Sequence, residues 1–170
     1  PLDLFKNSEG VLEPVGDIFE RRWGIGAYTV QDEAFALGCL GSPAVDSLIG
    51  LLNSNDSWIV INAAFALGEI GSAAGSSVPI LASLLRHSDP HVVKAILEAL
   101  ACIGCNTAPA LPELTQLLYS TPAELGLNDD PQFFGADSVH YNVVYVLLLS
   151  DLTGEEVEPL LIDLLKAPTT

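Results

Sequence analysis

Residues 34–42 read AFALGCLGS and residues 64–72 read AFALGEIGS. A chain that writes nearly the same nine residues twice, 30 positions apart, is repeating a unit of structure. A third copy, Ala99-Leu100-Ala101-Cys102-Ile103-Gly104, follows at a spacing of 33. Each copy is trailed by a second apolar block: Leu48, Ile49, Leu51 and Leu52, then Ile80, Leu81, Leu84 and Leu85, then Leu111, Leu114, Leu117 and Leu118. Apolar residues three and four apart make both blocks amphipathic helices, so each repeat holds a helix pair. One such pair cannot bury its apolar face alone; stacking like units supplies the missing neighbour. The small residues recur where neighbouring helices come close, so it is size that is being repeated.

The punctuation agrees with paired helices. Gly41, Gly71 and Gly104 stand where a helix C-terminus favours positive φ. Pro43, Pro79 and Pro109 or Pro112 fall in the first turn of each second helix, where the missing N–H costs nothing. Asp56 and Asp89 precede the first helices as N-caps, with Pro90 at the first helical position. Further along, NVVYVL at 142–147 echoes NAAFAL at 62–67 with the alanines enlarged, and 157–165 reads as another second helix with Pro159 in its first turn. The opening of 12–19 resembles that block too, giving four helix pairs and a leading helix.

The stretch DSWIVINAAFALGEIG at 56–71, and the copy that begins DPHV at 89–92 and runs to Gly104, resemble the HEAT-like repeats of the phycobilin lyase type. The likeness covers about residues 28–119 closely and 137–167 loosely. It implies an all-α fold, a right-handed α-α superhelix forming one domain over 1–170. The repeats fall at about 28–53, 57–87, 90–119 and 137–167, with an inserted loop at 120–136. Such repeats commonly carry arginine just after the D-x-x-V valine. Here the positions hold Val60 and Ile61, or Val93 and Lys94, and the first repeat has Val30 and Gln31. Beside Trp58 that makes an unusually apolar stretch, which either neighbouring repeats or another protein covers.

Charge narrows the partners. Twenty-two acidic residues against six basic ones give a formal net charge of −16. Such a chain repels phosphates and anionic lipid, and suits a partner with a basic surface. The longest apolar run, 143–149, is too short to cross a bilayer, so no membrane insertion is expected. Three cysteines are too few for a disulfide framework and fit a soluble protein of a reducing compartment, cytoplasm or organelle interior. The chain opens at Pro1 and contains no methionine, which reads as a processed protein or a piece of a longer one.

No constellation of catalytic residues emerges. Cys102 and Cys105 form a CxxC pair at a helix C-terminus, whereas a redox pair needs its first thiol at an N-terminus. No second CxxC or nearby histidine pair completes a zinc site, and both read as small packed thiols. Ser88, Asp89 and Pro90 break the helix between His87 and His91, making them turn residues; His140 reads as surface or packed. Glu33, Glu69 and Glu98 read as solvated positions on successive first helices. The insertion STPAELGLNDDPQFFGA at 120–136 joins acids to Phe133 and Phe134, which either fold back over the last repeat or anchor a partner.

The expected function is therefore a non-catalytic protein–protein interaction or scaffold module, with no metal, no cofactor and no nucleic acid. Candidate contacts are Trp23, Tyr28, Trp58, Val60, Ile61, Asp129, Asp130, Phe133 and Phe134, aromatic and apolar anchors flanked by charge. The family resemblance implies the alternative, a phycobilin lyase subunit that binds a linear tetrapyrrole for attachment to an antenna protein.

Overall fold

The structure is a computed structural model and describes residues 38–120 and 139–166, all in helices and the turns between them. The helices are α1 (Val45–Leu51), α2 (Ser57–Ile70), α3 (Val78–Leu84), α4 (Pro90–Ile103), α5 (Leu111–Tyr119), α6 (Val139–Leu149) and α7 (Gly154–Lys166). Short 3-10 segments, Ser42–Ala44, Gly71–Ser77 and Ala108–Ala110, lead into α1, α3 and α5. The sequence pattern did not distinguish these tighter turns from the helices they open.

Caps start the first helices. The Asp56 carboxylate accepts the Trp58 N–H at 2.9 Å, and the Asp89 carboxylate accepts the His91 N–H at 2.9 Å. Glycines stop them: Gly71 sits at φ 68°, ψ −142°, a region open almost only to glycine, and Gly104 is left-handed at φ 61°, ψ 8°. Pro43, Pro79, Pro109 and Pro112 all occupy first-turn positions, as expected. Pro159 does not. The Thr153 N–H and hydroxyl both donate to Glu156 at 2.8 Å, a capping box that starts α7 at Gly154 and leaves Pro159 inside the helix.

Stacking is sequential. The first helices form one row, α2 on α4 and α4 on α6. Each second helix lies against the first helix of the following repeat: α1 on α2, α3 on α4, α5 on α6. Among the described residues, all the principal contacts join elements of the same or adjoining repeats, the arrangement of an α-α superhelix. The leucines spaced by 33, Leu52, Leu85 and Leu118, are all buried in the core between rows.

Closeness in the first row explains the repeated small residues. A Cβ on Gly38 would lie 2.8 Å from the Glu69 Cβ, and one on Gly68 would lie 3.2 Å from the Ala99 Cα. Ala66, Ala99 and Ala101 are buried in the same seams. Larger side chains there would push neighbouring repeats apart.

Polar groups cross the seams as well. The Asp151 carboxylate, from the turn after α6, accepts the Asn106 N–H at 2.8 Å and the Thr107 N–H at 3.1 Å. Asn106, at φ 55°, adopts the left-handed conformation that asparagine tolerates best among side-chain-bearing residues. Cys105 Sγ reaches the Ser72 carbonyl at 3.4 Å, and Arg86 pairs with Glu113 at 3.0 Å. The His140 ring meets the Ser120 carbonyl at 2.8 Å, which ties the start of α6 to the end of α5. That histidine is packed, one of its two expected settings.

By length and hydropathy alone, the 28 residues Ser57–Leu84 would serve as a membrane span. Gly71 divides them into two helices, and half of the apolar window is buried inside the protein.

Candidate partner-binding surface

The apolar stretch at the start of α2 resolves into two kinds of position. Trp58 is half-buried on the first turn and Ile59 is exposed. Val60 and Ile61, expected as partner contacts, retain 1 % and 8 % of their accessible surface. That expectation is corrected: both belong to the core, because neighbouring repeats cover the face on which the missing arginine would stand. Trp23, Tyr28, Asp129, Asp130, Phe133 and Phe134 lie outside the described residues.

The groups considered for chemistry hold the fold together. Cys39, Cys102 and Cys105 are free thiols; Cys102 and Cys105 are half-buried at the close of α4 and Cys39 is exposed. His87 Nδ1 accepts the Asp89 N–H at 3.0 Å, so His87, Asp89 and His91 form the turn between repeats. Burial acts to raise the Asp89 pKa. A hydrogen bond from the Ser57 hydroxyl, the His91 N–H and the nearby imidazoles outweigh it and hold the carboxyl below its usual value. Glu69 and Glu98 are half-buried in the first-helix row, less solvated than expected. Glu33 lies outside the described residues. Among the described residues, no three histidine, cysteine or acidic side chains converge to hold a metal ion.

Among the described residues, one face of α6 gathers several exposed large side chains. Tyr141, Tyr145 and Leu148 follow one another at intervals of four and three, on one side of the helix, and stay 52 %, 46 % and 64 % exposed. The two tyrosine rings stack with centroids 6.3 Å apart and planes within 8°. In the repeat register these positions match Ile61, Phe65 and Gly68 of α2. Gly68 abuts Ala99 and Cys102 of α4, and Ile61 and Phe65 on the same side are buried. The stripe on α6 is thus the side on which a following first helix would stack. None of the described helices lies over it.

Sequence reading missed this stripe, although a signal was present. Leu148 stands where the register has Gly68, and a bulky residue there is incompatible with the close stacking that glycine permits. The echo of NAAFAL in NVVYVL is a change in size, and it also changes what the face can receive.

No curated protein and no solved structure matches the chain. The family model of HEAT repeats matches residues 45–126, from α1 to just beyond α5. The helix pairs stacked in sequence and the small residues in the seams of this part of the chain agree with that match, and the chain is similar to HEAT repeats there.

Proposed function

We propose that the chain is a non-catalytic protein-binding module, a scaffold or accessory subunit whose stacked repeats leave one aromatic face for a partner. The observation that carries this reading is the Tyr141–Tyr145–Leu148 stripe. Equivalent positions on α2 are buried, so the exposure on α6 goes with the lack of a covering helix among the described residues rather than with the register of the helix. Tyrosines and a leucine aligned over two turns supply rigid apolar contact area with hydroxyls at the rim, the composition of binding surfaces. HEAT repeats generally mediate contacts between proteins, which supports the same reading.

Trp58, beside the exposed Ile59, is a second proposed contact. Trp23, Tyr28, Asp129, Asp130, Phe133 and Phe134 are proposed from the sequence alone. The net charge of −16 favours a partner with a basic surface. Quantitative capture of partners from the native source tests the proposal. A partner held by the wild type and by Leu40→Ser should be lost from the Tyr145→Ser/Leu148→Ser double variant. Capture of no protein by any form would overturn the reading. Capture unchanged in both the double variant and Trp58→Ala would remove these residues from the surface.

A further inference from the structure

The proposal of a protein-binding module does not say what the α6 stripe receives. Resting on that proposal, we infer that the occupant is an amphipathic, basic α-helix of another protein, laid along α6 as the next first helix of the row would be. The fold supplies the template. On α2, the side defined by Ile61, Phe65 and Gly68 is closed by α4, a helix that packs along it. The stripe on α6 continues that row of helix-on-helix interfaces by one step.

Two features separate the occupant from a further repeat of the same kind. Leu148 replaces the glycine of the seam, so the incoming helix sits farther out and offers small residues, alanine or glycine, opposite Leu148. Tyr141 and Tyr145 stack on each other on the exposed side of α6, and aromatic rings suit lysine or arginine stems and their charged ends. Charge selects the source. α6 itself carries no aspartate, glutamate, lysine or arginine, and the chain as a whole carries 22 acidic residues against 6 lysines and arginines. A second copy of this chain would bring another −16 and be repelled, whereas a basic helix is drawn in.

The test uses the full chain and two designed helical peptides with the same alanine- and leucine-containing stripe, one flanked by lysines and the other by glutamates. Tyrosine nitration by tetranitromethane, mapped by mass spectrometry, reports the stripe, and fluorescence anisotropy of labelled peptide reports affinity. In the free chain, Tyr141 and Tyr145 should be nitrated. The lysine peptide should protect both and bind at least about tenfold more tightly than the glutamate peptide, with the gap narrowing as salt is added. Tyr145→Ser and Leu148→Ser should each weaken the lysine peptide about tenfold, while Leu40→Ser at the far end of the row should not.

Equal binding to the stripe variants would mean attraction by charge alone and would overturn the inference. So would tyrosines already shielded in the free chain, or a dimer in sedimentation that Leu148→Ser dissolves. Failure of both peptides while natural partner capture still depends on Leu148 would refute the helical, basic occupant and leave the protein-binding module standing. Failure of capture as well would remove both.

Discussion

Two glycines on helices offer a matched test of why the repeat keeps its small residues. Gly50 lies on α1 with no atom within 4 Å of where a Cβ would be; Gly68 lies on α2 with the Ala99 Cα at 3.2 Å and the Cys102 Cβ at 3.6 Å. Replacing either by alanine removes the same backbone entropy penalty, about 0.5–1 kcal/mol in favour of the helix. At Gly50 nothing opposes that gain, so Gly50→Ala should stabilise by about that amount. At Gly68 the methyl meets a neighbouring helix backbone, not the free end of a side chain, and α2 and α4 must part by a few tenths of an ångström. Overpacking of this kind costs about 1–3 kcal/mol. Gly68→Ala should therefore fall below Gly50→Ala by about 1–3 kcal/mol, and should itself be neutral to destabilising by about 2 kcal/mol. Urea unfolding followed by circular dichroism, with both variants beside the wild type, measures the gap. If the two alanines stabilise equally, α2 and α4 do not approach through Gly68, and the explanation of the repeated motif fails.

Other substitutions probe separate joints. Gly71→Ala places a Cβ at φ 68°, ψ −142° and should cost about 1–3 kcal/mol in the same unfolding assay, although the Cys102 carbonyl at 3.8 Å leaves room for it. Asp89→Ala removes the cap of α4 and should cost about 0.5–2 kcal/mol; Asp89→Asn should recover part of that loss. Hydrogen bonds from the Thr107 and Asn106 N–H groups hold the Asp151 carboxyl below its usual pKa. A depressed carboxyl contributes stability above its unfolded value and loses it as pH falls through the folded one. Asp151→Asn should thus flatten the decline in stability below about pH 4 without changing its slope near neutrality. The double variant Tyr145→Ser/Leu148→Ser should unfold within about 2 kcal/mol of the wild type, because Leu148 is mostly exposed and Tyr145 is half-exposed and stacked on Tyr141, while partner capture is lost.

Much of the repeat was legible because it was written in local chemistry. Asp56 and Asp89 cap, Gly71 and Gly104 stop, and the prolines of the second helices open their first turns. Each acts within a few residues of itself, so the chain can be read without its neighbours. Burial is different, since it depends on what lies across a seam. Val60 and Ile61 read as an apolar patch, but neighbouring repeats cover them; Tyr145 read as an echo of Phe65, but no described helix covers it. Glu69 and Glu98 are less exposed than the sequence suggested for the same reason: neighbouring helices pack along the first row and half-bury its polar residues. Pro159 failed locally, because the Thr153–Glu156 capping box begins α7 earlier than the proline suggested.

The polar seams bear on how the proposed binding face is held. Asp151 grips the Asn106 and Thr107 amides from just beyond α6, and His140 grips Ser120 from its start. Both ends of α6 are therefore tied to the preceding repeat by hydrogen bonds, and its inner side is packed through Val139, Val143, Val146 and Leu147. The outward tyrosines are carried on a helix whose position is fixed before any partner arrives, which lowers the ordering cost of association.

Site-specific photocrosslinking in the presence of the captured partner tests the central claim most directly. A benzophenone side chain placed at residue 145 should join the partner covalently, and the same group at residue 40, exposed at the opposite end of the first-helix row, should not. A crosslink formed from residue 40 and absent from residue 145 would contradict the claim that the uncovered side of α6 is the surface this protein offers.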